Sequence, residues 1–121
     1  MRYFYSFCRA AVAQLDRVLG FEPRSRGFES LRPHQILLFG SFASKTSTTE
    51  SDLDIAVVLP DAVDKKSFRT EFYKNRTRIH IPVDFIFRNQ TEFENLKNEN
   101  PVDFEINQKG IELYPEWKFH V

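Results

Sequence analysis

The chain has 121 residues, of which 41% are hydrophobic and 28% are charged. This size and balance are typical of one folded domain and exclude a disordered chain, and no apolar run approaches the roughly 20 residues of a membrane span. Basic and acidic residues number 17 each, so the chain as a whole lacks the basic excess typical of nucleic-acid binding. The single cysteine, Cys8, excludes an internal disulfide and fits a reducing compartment. We therefore expect a cytoplasmic protein that does not associate with membranes.

The first 34 residues differ from the rest in charge. They carry six arginines and three acids, a net charge of +3, whereas residues 35–121 have a net charge of −3. Apolar residues at near-helical spacing predict a helix over 4–19, and the Gly- and Pro-containing stretch 20–33 is typical of a linker. The run VAQLDRVLGFEPRSRGFESLRPH resembles a translated bacterial transfer-RNA gene. Residues 1–34 are accordingly treated as an N-terminal extension without a functional role.

From Gln35 onward, short apolar runs predict strands. They cover residues 36–39, 53–59 and 81–87, and a last extended piece is expected at 111–114. Pro82 has no backbone N–H to donate, so it is expected at the start of the third strand or on an edge.

Capping signals predict the helices between these strands. One helix is expected over 64–75, a second opens at a capping box that begins at Thr91, and a third runs from Asn100, its N-cap, to Gly110 as its C′ residue. This order predicts an α/β or α+β domain over 35–115, in which helices cover a small mixed sheet of three or more strands, with 116–121 as a tail.

Two motifs in this domain carry chemistry. Gly40 and Ser41 end the first strand, where a turn presents free backbone N–H groups that favour a phosphate. Asp52 and Asp54 lie two residues apart, so on a strand they point to one face about 7 Å apart and can converge on a hard cation. Asp84 is a third acid, flanked by apolar residues in the third strand, where an unpaired charge is costly.

Each feature taken alone has a simpler explanation. A Gly-Ser pair marks many turns, an Asp-x-Asp can cap a turn, and Asp84 can pair with Arg78 or Arg88. Together they predict a site for metal-assisted phosphoryl or nucleotidyl transfer, with Mg²⁺ bridging the carboxylates and a triphosphate.

Three runs carry a family resemblance: LFGSFASKTSTTESDLDIAVV, IPVDFIF and FEINQKGIELY. They resemble the polymerase beta-like nucleotidyltransferase superfamily, in particular its minimal members, and so imply a nucleotidyltransferase fold. The resemblance implies that Asp52 and Asp54 bind two Mg²⁺ ions and that Asp84 completes the metal site and helps to activate an attacking hydroxyl. It also implies that Gly40 and Ser41 hold the β- and γ-phosphates of ATP.

The sequence departs from the family at one point. Where members usually carry a basic residue followed by glycine, this chain has Ser44 and Lys45. One expectation is that Lys45 binds the nucleotide and supplies the missing positive charge one residue late. The alternative is that the loss of that glycine weakens nucleotide binding.

The resemblance implies transfer of a nucleoside monophosphate from ATP to an acceptor hydroxyl on a partner protein. Minimal members often act as antitoxins of a small helical HEPN-domain protein, which is the expected partner, with a homo-oligomer also possible. The alternative is a non-catalytic module that neutralises a partner by contact, and a weaker third is modification of a small molecule such as an aminoglycoside. Direct nucleic-acid binding is not expected, because residues 35–121 are net acidic.

Overall fold

The computed structural model describes residues 33–41, 43, 52–75, 83–116 and 118. These residues form a mixed α+β arrangement of four strands and three helices: β1 (Gln35–Phe39), β2 (Leu53–Leu59), α1 (Lys65–Asn75), β3 (Val83–Asn89), α2 (Gln90–Leu96), α3 (Pro101–Lys109) and β4 (Ile111–Tyr114). The predicted fold class is confirmed. The helix predicted over 4–19 and the residues Ser44 and Lys45 lie outside the described ranges. Within those ranges, no helix is long and apolar enough to cross a membrane.

The four strands form one mixed sheet in the order β3-β2-β1-β4. β1 pairs antiparallel with both β2 and β4, whereas β2 and β3 run parallel. The third strand is described from Val83, because the predicted residues Ile81 and Pro82 lie outside the described ranges, and it extends to Asn89, two residues beyond its predicted end. β2 is therefore a central strand and β3 an edge strand, which matters for the two acids that they carry.

One face of the sheet packs against α1. The Phe72 ring lies edge-on to Phe85 and Phe87, with ring centroids 4.6 and 5.6 Å apart. Leu53 and Ile55 are fully buried in the same cluster. The residues that alternate with Asp52 and Asp54 thus face the core, as the two-residue period of a strand predicts.

The opposite face is covered by α2 and α3. Its buried cluster joins four strand residues to one from each helix: Leu37, Phe39, Ala56, Val58, Phe93 and Ile106. Asp54 is two residues from Ala56 on β2, and Asp84 is two residues from Ile86 on β3, so each acid shares a face with that residue. Ala56 belongs to this cluster, and Ile86 packs against it. Both carboxylates therefore belong to the face that α2 and α3 cover.

The start of α2 corrects one prediction. The helix begins at Gln90 with Asn89 as its N-cap, and the Asn89 N–H donates to Oε1 of Glu92 at 3.2 Å. The capping box predicted at Thr91 is wrong by two residues, because Thr91 is inside the helix and donates its N–H and hydroxyl to Asp61. Asn89 is fixed at the cap by its amide, which donates to the carbonyls of Pro60 and Val63.

The ends of α3 confirm one prediction and correct another. Asn100 caps its start, since its Oδ1 accepts from the N–H groups of Val102 and Asp103 at 2.9 and 3.3 Å, and Pro101 is the first helical residue. Gly110 closes the helix, as predicted, but it does so as the C-cap residue, with a φ of −65°, and not as the C′ residue. Glycine is required there because a Cβ would overlap the carbonyl oxygen of Ile106.

Candidate active site

Gly40 turns the chain directly after β1. Its φ of 77° lies in the left-handed region that favours glycine. A Cβ at this position would overlap Oδ2 of Asp54 and lie 3.1 Å from its Cγ. Gly40 therefore allows the Gly-Ser bend to lie directly against the Asp54 carboxylate, and the half-buried Ser41 follows in the same turn.

The register of the sheet brings the acids together. Asp54 on β2 is paired with Asp84 on β3, and Phe39, the residue before Gly40, is paired with Asp54 from the other side. Asp52 lies two residues before Asp54, just ahead of β2. Residues in register on neighbouring strands point to the same face, so Asp84 lies on the same side of the sheet as Asp54.

The electrostatics of the site are dominated by negative charge. Burial raises the pKa of Asp54 from 3.8 to about 6, and repulsion from Asp84, Asp52 and Glu105 adds to the shift. Asp54 is half-buried, whereas Asp52 and Asp84 are exposed. The ionised form of Asp54 is thus disfavoured unless a cation compensates for the surrounding carboxylates.

The carboxylates share one face without converging on one point. Within the described part of the chain, no three or more His, Cys, Asp or Glu side chains are gathered closely enough to hold a metal ion. Carboxylate oxygens are nevertheless the donors that Mg²⁺ prefers. Because Asp52 and Asp84 are exposed, each can turn toward Asp54 without disturbing the core. The donor set and its mutual repulsion fit a hard divalent cation.

Comparison with known proteins identifies the family. The profile of the family described as "Polymerase beta, Nucleotidyltransferase" matches residues 28–116. The chain belongs to this family. A search of the curated proteins gave no match. The matched segment contains the Gly-Ser bend and all three aspartates, and it begins inside the N-terminal segment that was set apart on composition.

The structure also contains an ion pair that the sequence analysis missed. Asp103 on α3 is fully buried, and its carboxylate contacts the Arg88 guanidinium at 3.0 and 3.4 Å. Arg88 was one of two arginines considered as a partner for Asp84, but the ion pair it makes is with Asp103. Arg78, the other one, lies outside the described ranges. A charged residue three positions before the buried Ile106 was the available signal.

A fourth acid near the candidate site was also missed. Glu105 on α3 contributes to the raised pKa of Asp54, although it lies 51 positions further along the chain. Nothing local in the sequence links the two residues. Their proximity depends on how α3 packs across the sheet, which the spacing of residues does not reveal.

Proposed function

We propose that this chain catalyses a Mg²⁺-dependent transfer of a nucleoside monophosphate from ATP to an acceptor hydroxyl, with release of pyrophosphate. The observation that supports it best is the pairing of Asp54 with Asp84 on adjacent strands, beside the Gly40 turn. Family membership supports nucleotidyl transfer or a related reaction. The specific donor, metal and acceptor are the proposal.

The three aspartates have distinct proposed roles. Asp52 and Asp54 would hold the metal ions, and Asp84 would contribute a ligand and orient the acceptor hydroxyl. Bound Mg²⁺ supplies charge neutralisation for the triphosphate and makes the hydroxyl more acidic. The acceptor oxygen attacks the α-phosphorus, the bond to the bridging oxygen breaks, pyrophosphate leaves, and Asp84 accepts the hydroxyl proton.

The turn after β1 would hold the rest of the nucleotide. Backbone N–H groups at Gly40 and Ser41 are proposed to donate to the β- and γ-phosphates, because glycine allows the backbone to approach a ligand closely. Lys45 would add a point charge to the same phosphates. In this arrangement the triphosphate lies against the Asp54 carboxylate, which is where the divalent charge is needed.

The acceptor is proposed to be a hydroxyl on a partner protein, specifically a small helical HEPN-domain protein whose toxicity this chain suppresses. The resemblance to minimal family members supports this role. The identity of the partner is a separate part of the proposal from the chemistry of the site. Transfer of label tests the chemistry, and suppression of the partner's toxicity tests the partner role.

The full chain is incubated with Mg²⁺, ATP labelled on its α-phosphate, and a HEPN-domain protein encoded in a neighbouring reading frame. We expect label to reach the partner with wild type and with Glu99→Gln, which changes an exposed acid on the loop before α3. We expect no label with Asp54→Asn or Asp84→Asn. Transfer that survives either of these two variants would contradict the proposed site.

One observation favours a second candidate, a binding module without catalysis. The described carboxylates are not gathered into a ready metal site, and Ser44 and Lys45 replace the family's usual basic residue and glycine. In that case the wild type forms a stable complex with the partner and suppresses its toxicity, while no label is transferred. Asp54→Asn then suppresses toxicity as well as wild type does.

A further inference from the structure

The zero net charge of the chain conceals a strongly basic segment. Residues 65–88, which contain α1 and most of β3, include seven lysines and arginines but only two acids. Their net charge is +5, and the remainder of the chain therefore has a net charge of −5. A segment with this excess of positive charge can attract an acidic partner.

Described residues of the basic segment line a cavity beside β3. The cavity has a volume of about 570 Å³ and is lined by three cations of α1, by Arg88, and by the apolar residues 85–87 of β3. Consecutive strand residues point to opposite faces, so a cavity that touches residues 85 to 88 lies at the edge of β3. We call this cavity the β3 groove.

β3 is the edge strand of the described sheet, with β2 as its pairing partner. Edge strands present backbone N–H and C=O groups that can pair with another strand. Near its carboxyl end this edge is partly closed, because the Phe87 carbonyl accepts from the Arg88 guanidinium at 3.1 Å and the Asn89 N–H donates to Glu92. An incoming strand would therefore pair with the residues of β3 that precede Phe87, of which Phe85 and Ile86 line the β3 groove.

The cations of the groove are not equivalent. Lys65 is bound by Glu92 at 2.8 Å, and Arg88 by Asp103. Lys66 and Arg69 are both exposed, and Arg69 lies 5.7 Å from the ring centre of Tyr73. These two side chains are therefore the ones that offer positive charge to an occupant.

We propose that the β3 groove binds an extended acidic segment of a partner protein, which adds to the sheet as a strand beside β3. Backbone pairing with the edge supplies affinity, and acidic side chains opposite Lys66 and Arg69 supply selectivity. The inference does not depend on the proposed transfer reaction, because it requires none of the three aspartates.

Charge and shape favour this occupant over others. A second copy paired through β3 would bring Lys66 and Arg69 of both copies together, which is repulsive. The N-terminal segment 1–34 is itself basic, with a net charge of +3. A nucleic acid carries continuous negative charge, whereas a peptide can carry its acids only where the cations lie.

The test uses the full chain and a fluorescein-labelled ten-residue peptide of alternating valine and glutamate. A matched peptide carries glutamine in place of glutamate, and fluorescence anisotropy measures binding. We expect the glutamate peptide to bind about tenfold more tightly than the glutamine peptide. We expect Lys66→Glu and Arg69→Gln to weaken binding, while Lys109→Glu, an exposed lysine at the end of α3, does not.

Hydrogen exchange separates strand addition from charge attraction alone. We expect the bound peptide to slow amide exchange in residues 83–86. Absence of binding by wild type, equal loss in Lys66→Glu and Lys109→Glu, or binding without protection of these amides would overturn the proposal. So would a ten-nucleotide single-stranded RNA that binds more tightly than the peptide and is weakened by Lys66→Glu, since the groove would then be a nucleic-acid site.

Discussion

The Asp54 carboxylate occupies the space in which any side chain at position 40 would lie. A Cβ at Gly40 would overlap Oδ2 of Asp54, and its φ of 77° is one that other residues rarely adopt. The glycine is thus required by its own backbone and by its neighbour. The Gly40 turn, proposed to hold phosphate, and Asp54, proposed to hold metal, are therefore in direct contact, so a change at one displaces the other.

Gly40→Ala is expected to lower both stability and activity. The strained φ alone costs roughly 1–2 kcal/mol for a residue with a Cβ, and displacement of Asp54 adds to it. Urea unfolding and labelled transfer measure the two effects. In an Asp54→Ala background the overlap with Oδ2 disappears, so the same substitution is expected to cost less. Equal costs in both backgrounds would show that the contact has no energetic role.

The raised pKa of Asp54 predicts how stability depends on pH in the absence of divalent metal. Between its ordinary value of 3.8 and about 6, the folded protein holds the Asp54 proton more tightly than the unfolded chain. The free energy of unfolding contributed by this group therefore falls as the pH rises through that window, and the loss is complete above pH 6. Thermal melts in a chelator should show this fall in wild type.

Two variants serve as controls for this pH effect. Asp54→Asn is expected to lack the fall, because it removes the titrating group. Glu105→Gln is expected to retain the fall in stability but to shift it to lower pH, because the substitution removes one carboxylate that repels Asp54. Superimposable pH profiles for wild type and Asp54→Asn would contradict the raised pKa.

Divalent metal and nucleotide are expected to stabilise the folded chain. A ligand that binds only the folded state at about 100 times its Kd adds about 2.7 kcal/mol to the free energy of unfolding. Mg²⁺ with a non-hydrolysable ATP analogue should raise the melting temperature of wild type but not of the Asp52→Asn/Asp54→Asn/Asp84→Asn variant. Without metal, the triple variant should melt above wild type, because its acids no longer repel one another. A stabilised triple variant beside a wild type indifferent to Mg²⁺ would indicate repulsion without metal binding.

The buried Asp103–Arg88 pair is expected to be a large contributor to stability. Asp103→Ala leaves Arg88, whose side chain is 23% exposed, without its carboxylate partner and should lower the free energy of unfolding by roughly 3 kcal/mol. Replacing both residues, as in Asp103→Ala/Arg88→Met, should recover part of that loss. The exposed Glu99→Ala provides the baseline. A double variant less stable than Asp103→Ala would show that Arg88 contributes through other contacts.

Much of the fold was predictable because local patterns determine it. The apolar run 53–59 and the break at Pro60 define β2, and its two-residue period places Leu53 and Ile55 in the core. The Asn-Pro pair at 100–101 likewise determines the start of α3. In each case the deciding interactions lie within a few residues of one another.

The structure differs from the predictions at places where contacts between residues far apart in the sequence determine the local structure. Asn89 and Thr91 are both suitable N-caps, and Asn89 prevails because its amide is bound by carbonyls of the segment after β2. The Asp103–Arg88 pair depends on how α3 packs over the sheet. In the candidate site, the motif predicted which acids to consider, whereas the register of β2 and β3 determines that Asp54 and Asp84 share a face.

The strand order of the sheet holds Asp54 and Asp84 with unequal firmness, although the two residues are paired in register. In the described sheet, Asp54 belongs to a strand that pairs with β1 on one side and β3 on the other, whereas Asp84 belongs to an edge strand that pairs with β2 alone. Fluctuations that loosen a rim are cheaper than those that open an interior strand. Changes in the distance between Asp54 and Asp84 therefore come mainly from movement of Asp84. A contact that stabilises β3 would also restrict the positions that the Asp84 carboxylate can adopt.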